Sequence, residues 1–154
     1  REAVHAISRT HALGANSPLV STDELALMER LPGIVPDGSV IAGNPWTGTS
    51  FAYAISGREV LNPNFNSHTD PGADVINKRL RDAGSDPEVC RVVRALHVDY
   101  VLDFGTFSRD AGETDVRFDG VSGYVGLLDL ATTGVVKKVD SEGPAVLYEI
   151  TACG

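Results

Sequence analysis

Three helix starts are written plainly into this chain, and they constrain everything between them. Ser21 is followed three residues later by Glu24, the reciprocal capping pair of a helix N-terminus. Asp86-Pro87 sets a capping carboxylate before a proline, whose fixed φ suits the first helical position, and Pro71 marks a like start with Asp70 or Thr69 as its cap. Behind these starts, apolar residues recur at the helical period: Leu25, Met28 and Leu31; Val75, Ile76 and Leu80; Val89, Val92, Val93 and Leu96. Val20, before the first cap, is placed to staple onto Leu25. Between and behind these helices lie short apolar runs: Val40-Ile41-Ala42, then "EVLN" at 59–62, then "VDYVLDFG" at 98–105. In the last of these, Tyr100, Leu102 and Phe104 alternate with Asp99, Val101 and Asp103, the signature of a strand. Strands separated by helices enter a sheet in the same direction through right-handed crossovers.

The end of the chain follows another rule. "GVVKKVD" and "AVLYEIT" are joined only by Ser141-Glu142-Gly143-Pro144, so they read as an antiparallel hairpin. The fold expected is α/β: a single layered domain with a central, mostly parallel sheet of about five strands, a C-terminal antiparallel hairpin and helices on both faces. A helix is also expected over 1–14, where Ala3, Val4, Ile7, Ala12 and Leu13 are apolar, and another in "TSFAYAIS", stopped by Gly57. "YVGLLDLA" reads as a short helical stretch, and "FSRDAGETDVRFDG" as a polar loop.

At 154 residues the chain suffices for one domain with its own core. Its net charge of -8, with Lys and Arg scattered, argues against nucleic acid as a partner. No apolar run approaches the ~18 residues of a membrane span. The chain opens "REAVHAISRT" without Met, which reads as a piece of a longer protein. Residues 1–19 are accordingly expected to be an N-terminal helix and linker from an upstream membrane region, and 20–154 the α/β domain.

In an open α/β sheet, ligands bind beyond the carboxyl ends of the strands. Three segments meet that rule. Asn44, Trp46, Thr47, Thr49 and Ser50 follow the first strand; Asn62, Asn64, Asn66, His68 and Asp70 follow the second; Asp103 and Ser108 end the third. A Trp among amides and hydroxyls suits a sugar, since the ring covers an apolar face while polar groups pair its hydroxyls. The same residue types also build turns and caps without any ligand. As candidate ligand contacts we take Asn44, Trp46, Thr47, Thr49, Asn64, His68 and Asp103. "GNPWTGTS" lacks the Gly-Lys-Ser/Thr of a P-loop, and no Gly-x-Gly-x-x-Gly occurs. His5, His11, His68 and His97 show no metal-ligand spacing, and no Gly-x-Ser-x-Gly elbow is present. No cofactor or metal is expected, and no residue is assigned a catalytic role.

Three phrases together form a recognisable type: "PDGSVIAGNPWTG", then "Y-x-x-SGREVL", then "LHVDYVLDFG". They resemble the extracytoplasmic C-terminal region of actinobacterial polytopic membrane proteins similar to class C (GT-C) glycosyltransferases, which use lipid-linked sugar donors. The resemblance covers roughly residues 20 to 152. It implies a soluble region that helps hold donor or acceptor, while the catalytic carboxylate lies in a membrane loop outside this chain. It implies as partners the protein's own transmembrane region and a glycan or lipid-linked sugar, with "NPWTG" and "NPNFNSH" as contact regions. A free-standing carbohydrate-binding module, or a small α/β hydrolase or transferase using His68 and Asp103, are the alternatives.

Cys90 and Cys153 fit no zinc motif, and by themselves they read equally as two buried thiols or one disulfide. The extracytoplasmic placement implied by the resemblance favours a Cys90–Cys153 bridge. It would tie the end of the last strand to the helix before the best strand.

Overall fold

A computed structural model of the chain describes residues 20–64, 70–105 and 122–154. Helix α1 (Thr22–Arg30) begins at Ser21, with the capping box closed in both directions: Glu24 N–H donates to Ser21 Oγ at 3.2 Å and Ser21 N–H to Glu24 Oε2 at 3.1 Å. The chain leaves α1 through a 3-10 turn over Leu31–Gly33 and enters strand β1 (Val40–Ala42). Helix α2 (Ala52–Ser56) and strand β2 (Glu59–Val60) follow. Helix α3 (Pro71–Arg79) is capped by Asp70, and helix α4 (Pro87–Leu96) by Asp86, each carboxylate accepting a backbone N–H two residues on. Strand β3 (Val98–Asp103) precedes two further 3-10 stretches, Ser122–Leu127 and Leu130–Thr132. Strands β4 (Val136–Glu142) and β5 (Ala145–Ile150) close the domain.

The five strands form one sheet in the order β2-β1-β3-β5-β4. β1 runs parallel to both β2 and β3, and the β4–β5 hairpin joins β3 antiparallel. The α/β class, the mixed sheet and the terminal hairpin are thus as the helix and strand signals require. The hairpin connection is tighter than the sequence suggests: pairing continues to Glu142↔Ala145, leaving Gly143-Pro144 alone to turn the chain. The expected helix over 1–14, its linker to residue 19 and the polar loop over 107–120 lie outside the described residues.

Side-chain alternation divides the core into two apolar clusters, one on each face. Leu27, Met28 and Ala52 from the helices meet Ile41, Tyr100, Leu102 and Leu147 on one face; Ile76, Leu80, Val89 and Val93 meet Ala42, Val101 and Tyr148 on the other. Such period-two separation along β3 is the direct result of its alternating sequence. Two further ties fix the edges. Residue Val139 is extra in β4, producing a bulge that turns Asp140 towards α1. There Arg30 grips Asp140 with both arms of its fork, Nε to Oδ2 at 2.9 Å and Nη2 to Oδ1 at 3.1 Å, and reaches Glu142 at 2.9 Å. Hydrogen bonding to Arg30 holds the Asp140 carboxyl below its ordinary pKa. Lys137 and Lys138 stand exposed on this edge strand, which disfavours pairing with another chain.

The second tie is covalent. Cys90, on the buried side of α4, is disulfide-bonded to Cys153 beyond the end of β5. Arg94 Nη1 reinforces the join by donating to the Cys153 carbonyl at 2.8 Å.

Candidate functional site

Because β1 and β3 are parallel neighbours, their carboxyl ends open on the same side of the sheet, and a cleft of about 170 Å³ lies there. Asn44 and Thr47 line it from the segment after β1, and Leu102, Asp103, Phe104 and Gly105 from the end of β3. Tyr124, Leu127, Leu128 and Asp129 form the remaining wall. Of the residues singled out in the sequence, the cleft therefore unites Asn44, Thr47 and Asp103.

The "NPWTGTS" segment shows why these groups sit where they do. Asn44 begins a 3-10 turn over Pro45–Thr47, its side chain accepting from Trp46 N–H at 3.0 Å. Its carbonyl collects two hydroxyl donors, Thr47 Oγ1 at 2.7 Å and Thr49 Oγ1 at 2.8 Å. Gly43 makes this possible, since a Cβ there would lie 2.7 Å from Thr49 Oγ1. Thr49 is consequently turned inward and buried. Trp46 is half-buried and packs against the apolar core rather than lining the cleft. Asn64 is exposed and is likewise not one of the lining residues, while Asn66, His68 and Ser108 lie outside the described residues.

Asp103 accepts the Gly105 N–H through Oδ1 at 2.9 Å, which holds its carboxylate at the end of the strand. Asp129 reaches the cleft from a left-handed backbone, φ 50°, a conformation that Asp tolerates better than most residues. Both charged groups in the lining are carboxylates, and no Lys or Arg faces them among the described lining residues. Among the described residues no cluster of three His, Cys, Asp or Glu side chains forms that could hold a metal.

The amides after β2 do structural work that the sequence does not show. Asn62 and Asn77 are 2% and 6% exposed and face each other amide to amide. Asn62 Nδ2 donates to Asn77 Oδ1 at 2.8 Å, Asn77 Nδ2 to Asn62 Oδ1 at 2.9 Å, and Asn62 Nδ2 also reaches the Gly43 carbonyl at 2.9 Å. The pair locks the exits of β1 and β2 to α3. Replacing Asn77 by Ala leaves the buried Asn62 Oδ1 without its Asn77 donor and Nδ2 with the Gly43 carbonyl alone, so a loss of about 2 kcal/mol is expected. Urea unfolding at unchanged m-value measures it; a change below about 0.5 kcal/mol would remove the pair from the account.

A second, larger cavity of about 480 Å³ lies across Tyr124 from the cleft. Asp70, Pro71, Asp74, Asn77 and Lys78 of α3 and its cap line it, with Gly123 and Tyr124 opposite. Nothing in the sequence singles out Tyr124: the segment around it reads as one more apolar helix. In the structure it is a 3-10 stretch, and Tyr124 itself departs from helical geometry at φ -130°, ψ 24°.

Comparisons with known proteins place this arrangement in context. No curated protein matches the chain. Among solved structures, the fold is similar to the crystal structure of the C-terminal globular domain of an oligosaccharyltransferase from Archaeoglobus fulgidus. Identity is 16%, the match covers 82% of this chain and 94% of that one, and the TM-score is 0.48. A family model described as "Family of unknown function (DUF6541)" matches residues 1–152. Spanning nearly the whole length, that match shows that the chain belongs to the DUF6541 family.

Proposed function

We propose that this chain is a non-catalytic extracytoplasmic domain of a membrane glycosyltransferase-like protein, and that the cleft beyond β1 and β3 contacts a glycan. The observation that carries this reading is the meeting of Asn44, Thr47 and Asp103 at the strand ends, where an open α/β sheet binds its ligands. Amide, hydroxyl and carboxylate groups beside the rings of Phe104 and Tyr124 suit a sugar's mixed polar and apolar faces. The Cys90–Cys153 bridge fits an oxidising compartment, hence the extracytoplasmic side of a membrane. The motif phrases around Trp46, Arg58 and Tyr100 supply the link to membrane glycosyltransferases. On this reading the domain's partner is the membrane-spanning region of the same polypeptide.

Catalysis is assigned elsewhere because Asp103 and Asp129 have no basic partner or activated nucleophile beside them among the described cleft residues. The test has two parts. Cell-wall oligosaccharides should bind the isolated chain, and Asp103→Ala together with Asn44→Ala should weaken that binding at least tenfold in calorimetry. Incubation with a lipid-linked sugar should release no free sugar. Release abolished by Asp103→Asn would instead make the chain an enzyme.

A further inference from the structure

Tyr124 is 7% exposed, yet its hydroxyl has no hydrogen-bond partner among the described residues. A buried phenol normally finds one, because leaving it unpaired costs most of a hydrogen bond. Tyr124 also lies on the wall shared by the two cavities. Burial, and then the charge of Asp74, raise its pKa above the ordinary tyrosine value, so the phenol stays protonated and able to donate. Its surroundings are nearly used up. Asn77 is committed to Asn62, Asp70 Oδ1 caps α3 through Gly72 N–H, and Lys78 is held by Asp74 Oδ2 at 2.9 Å.

We propose that the Tyr124 hydroxyl is a ligand-binding group, and that the cavity between it and the first turns of α3 is a second subsite for an uncharged, hydroxyl-rich unit such as a sugar ring. The proposal rests on the glycan reading for the identity of its ligand. A sugar hydroxyl accepts from the phenol, and its own proton goes to the Asp74 carboxylate in a second hydrogen bond. The phenyl ring adds apolar surface to the lining that the two cavities share. A phosphate fits poorly: Asp70 and Asp74 outnumber Lys78, and Lys78 is already paired. If one ligand spans both cavities, its sugar units lie on the two sides of Tyr124, and any diphosphate lies away from this wall.

The experiment is an amide chemical-shift titration of the labelled chain with maltotriose, mannotriose and chitotriose as neutral probes and inorganic pyrophosphate as the anion. At least one neutral probe should shift Asp74, Asn77 and Gly123, while pyrophosphate should leave them in place. Tyr124→Phe should weaken that binding at least fivefold with an unchanged or higher Tm, since it removes a hydroxyl bonded to none of the described residues. A lower Tm for Tyr124→Phe, unaltered affinity, pyrophosphate saturating the same amides, or no shift at these amides with any neutral probe would each overturn the proposal. Shifts at Asn44 and Asp103 alone would keep the cleft and remove this subsite; shifts at Asp74 and Gly123 alone would do the reverse.

Discussion

Cys153→Ser is expected to lower the stability of the domain by about 2–4 kcal/mol and its Tm by roughly 6–12 °C. The bridge spans 63 residues of sequence, for which loop-closure entropy alone gives about 4 kcal/mol. The folded state should change little when the bond is removed. Thr151 and Ala152 N–H groups still donate to the Val135 carbonyl at 3.0 and 3.1 Å, and Arg94 still holds the Cys153 position through a backbone carbonyl. The loss therefore arises mainly in the unfolded chain, which gains freedom across α4, β3 and the hairpin. Two measurements check this. Thiol titration of the unreduced, denatured chain should find no free thiol. Chemical unfolding of Cys153→Ser should show a lower midpoint with near-native circular dichroism before the transition. A shift under about 0.5 kcal/mol would mean that the bridge constrains nothing the unfolded chain lacks already.

Helix caps were legible because their chemistry is local. Ser21, Asp70 and Asp86 each cap the helix their sequence announces, since the partner N–H lies two or three residues away in every case. β3 and the hairpin were legible for a related reason, period-two alternation and a connection too short for any crossover. The candidate site was legible only by rule. That ligands sit at strand ends picked out Asn44, Thr47 and Asp103, but residue type could not separate a group facing the cleft from one spent on a turn. Thr49 and Thr47 carry the same hydroxyl and bond the same Asn44 carbonyl, and only Thr47 also lines the cleft. Partnerships across elements left no trace. Asn62 and Asn77 are separated by 15 residues, so neither reads as the other's mate. The Tyr124 segment was hidden for the same reason: apolar residues that wall a cleft have the spacing of apolar residues that fill a core.

What holds the Tyr124 wall in place is a backbone contact, and it carries the other large expected effect. Gly126 lies so close to the end of α3 that an added Cβ would stand 2.8 Å from the Asn77 carbonyl oxygen, with the Arg79 nitrogen and Lys78 carbonyl carbon nearer still. These are helix backbone atoms and cannot swing aside as a side chain would. Gly126→Ala must therefore push the 3-10 stretch off α3, parting Tyr124 and Leu127 from Ile76 and Leu80 in the shared apolar cluster. A loss of about 3 kcal/mol is expected, at the upper end of overpacking costs. Gly123, three residues earlier in the same stretch, supplies the control: a methyl group added there would meet nothing within 4 Å. Gly123→Ala should be neutral or slightly stabilising, because alanine restricts the unfolded chain. Parallel urea melts of the two variants make the comparison. Equal stabilities would show that the segment yields freely, and that the wall between the two cavities is not fixed by its contact with α3.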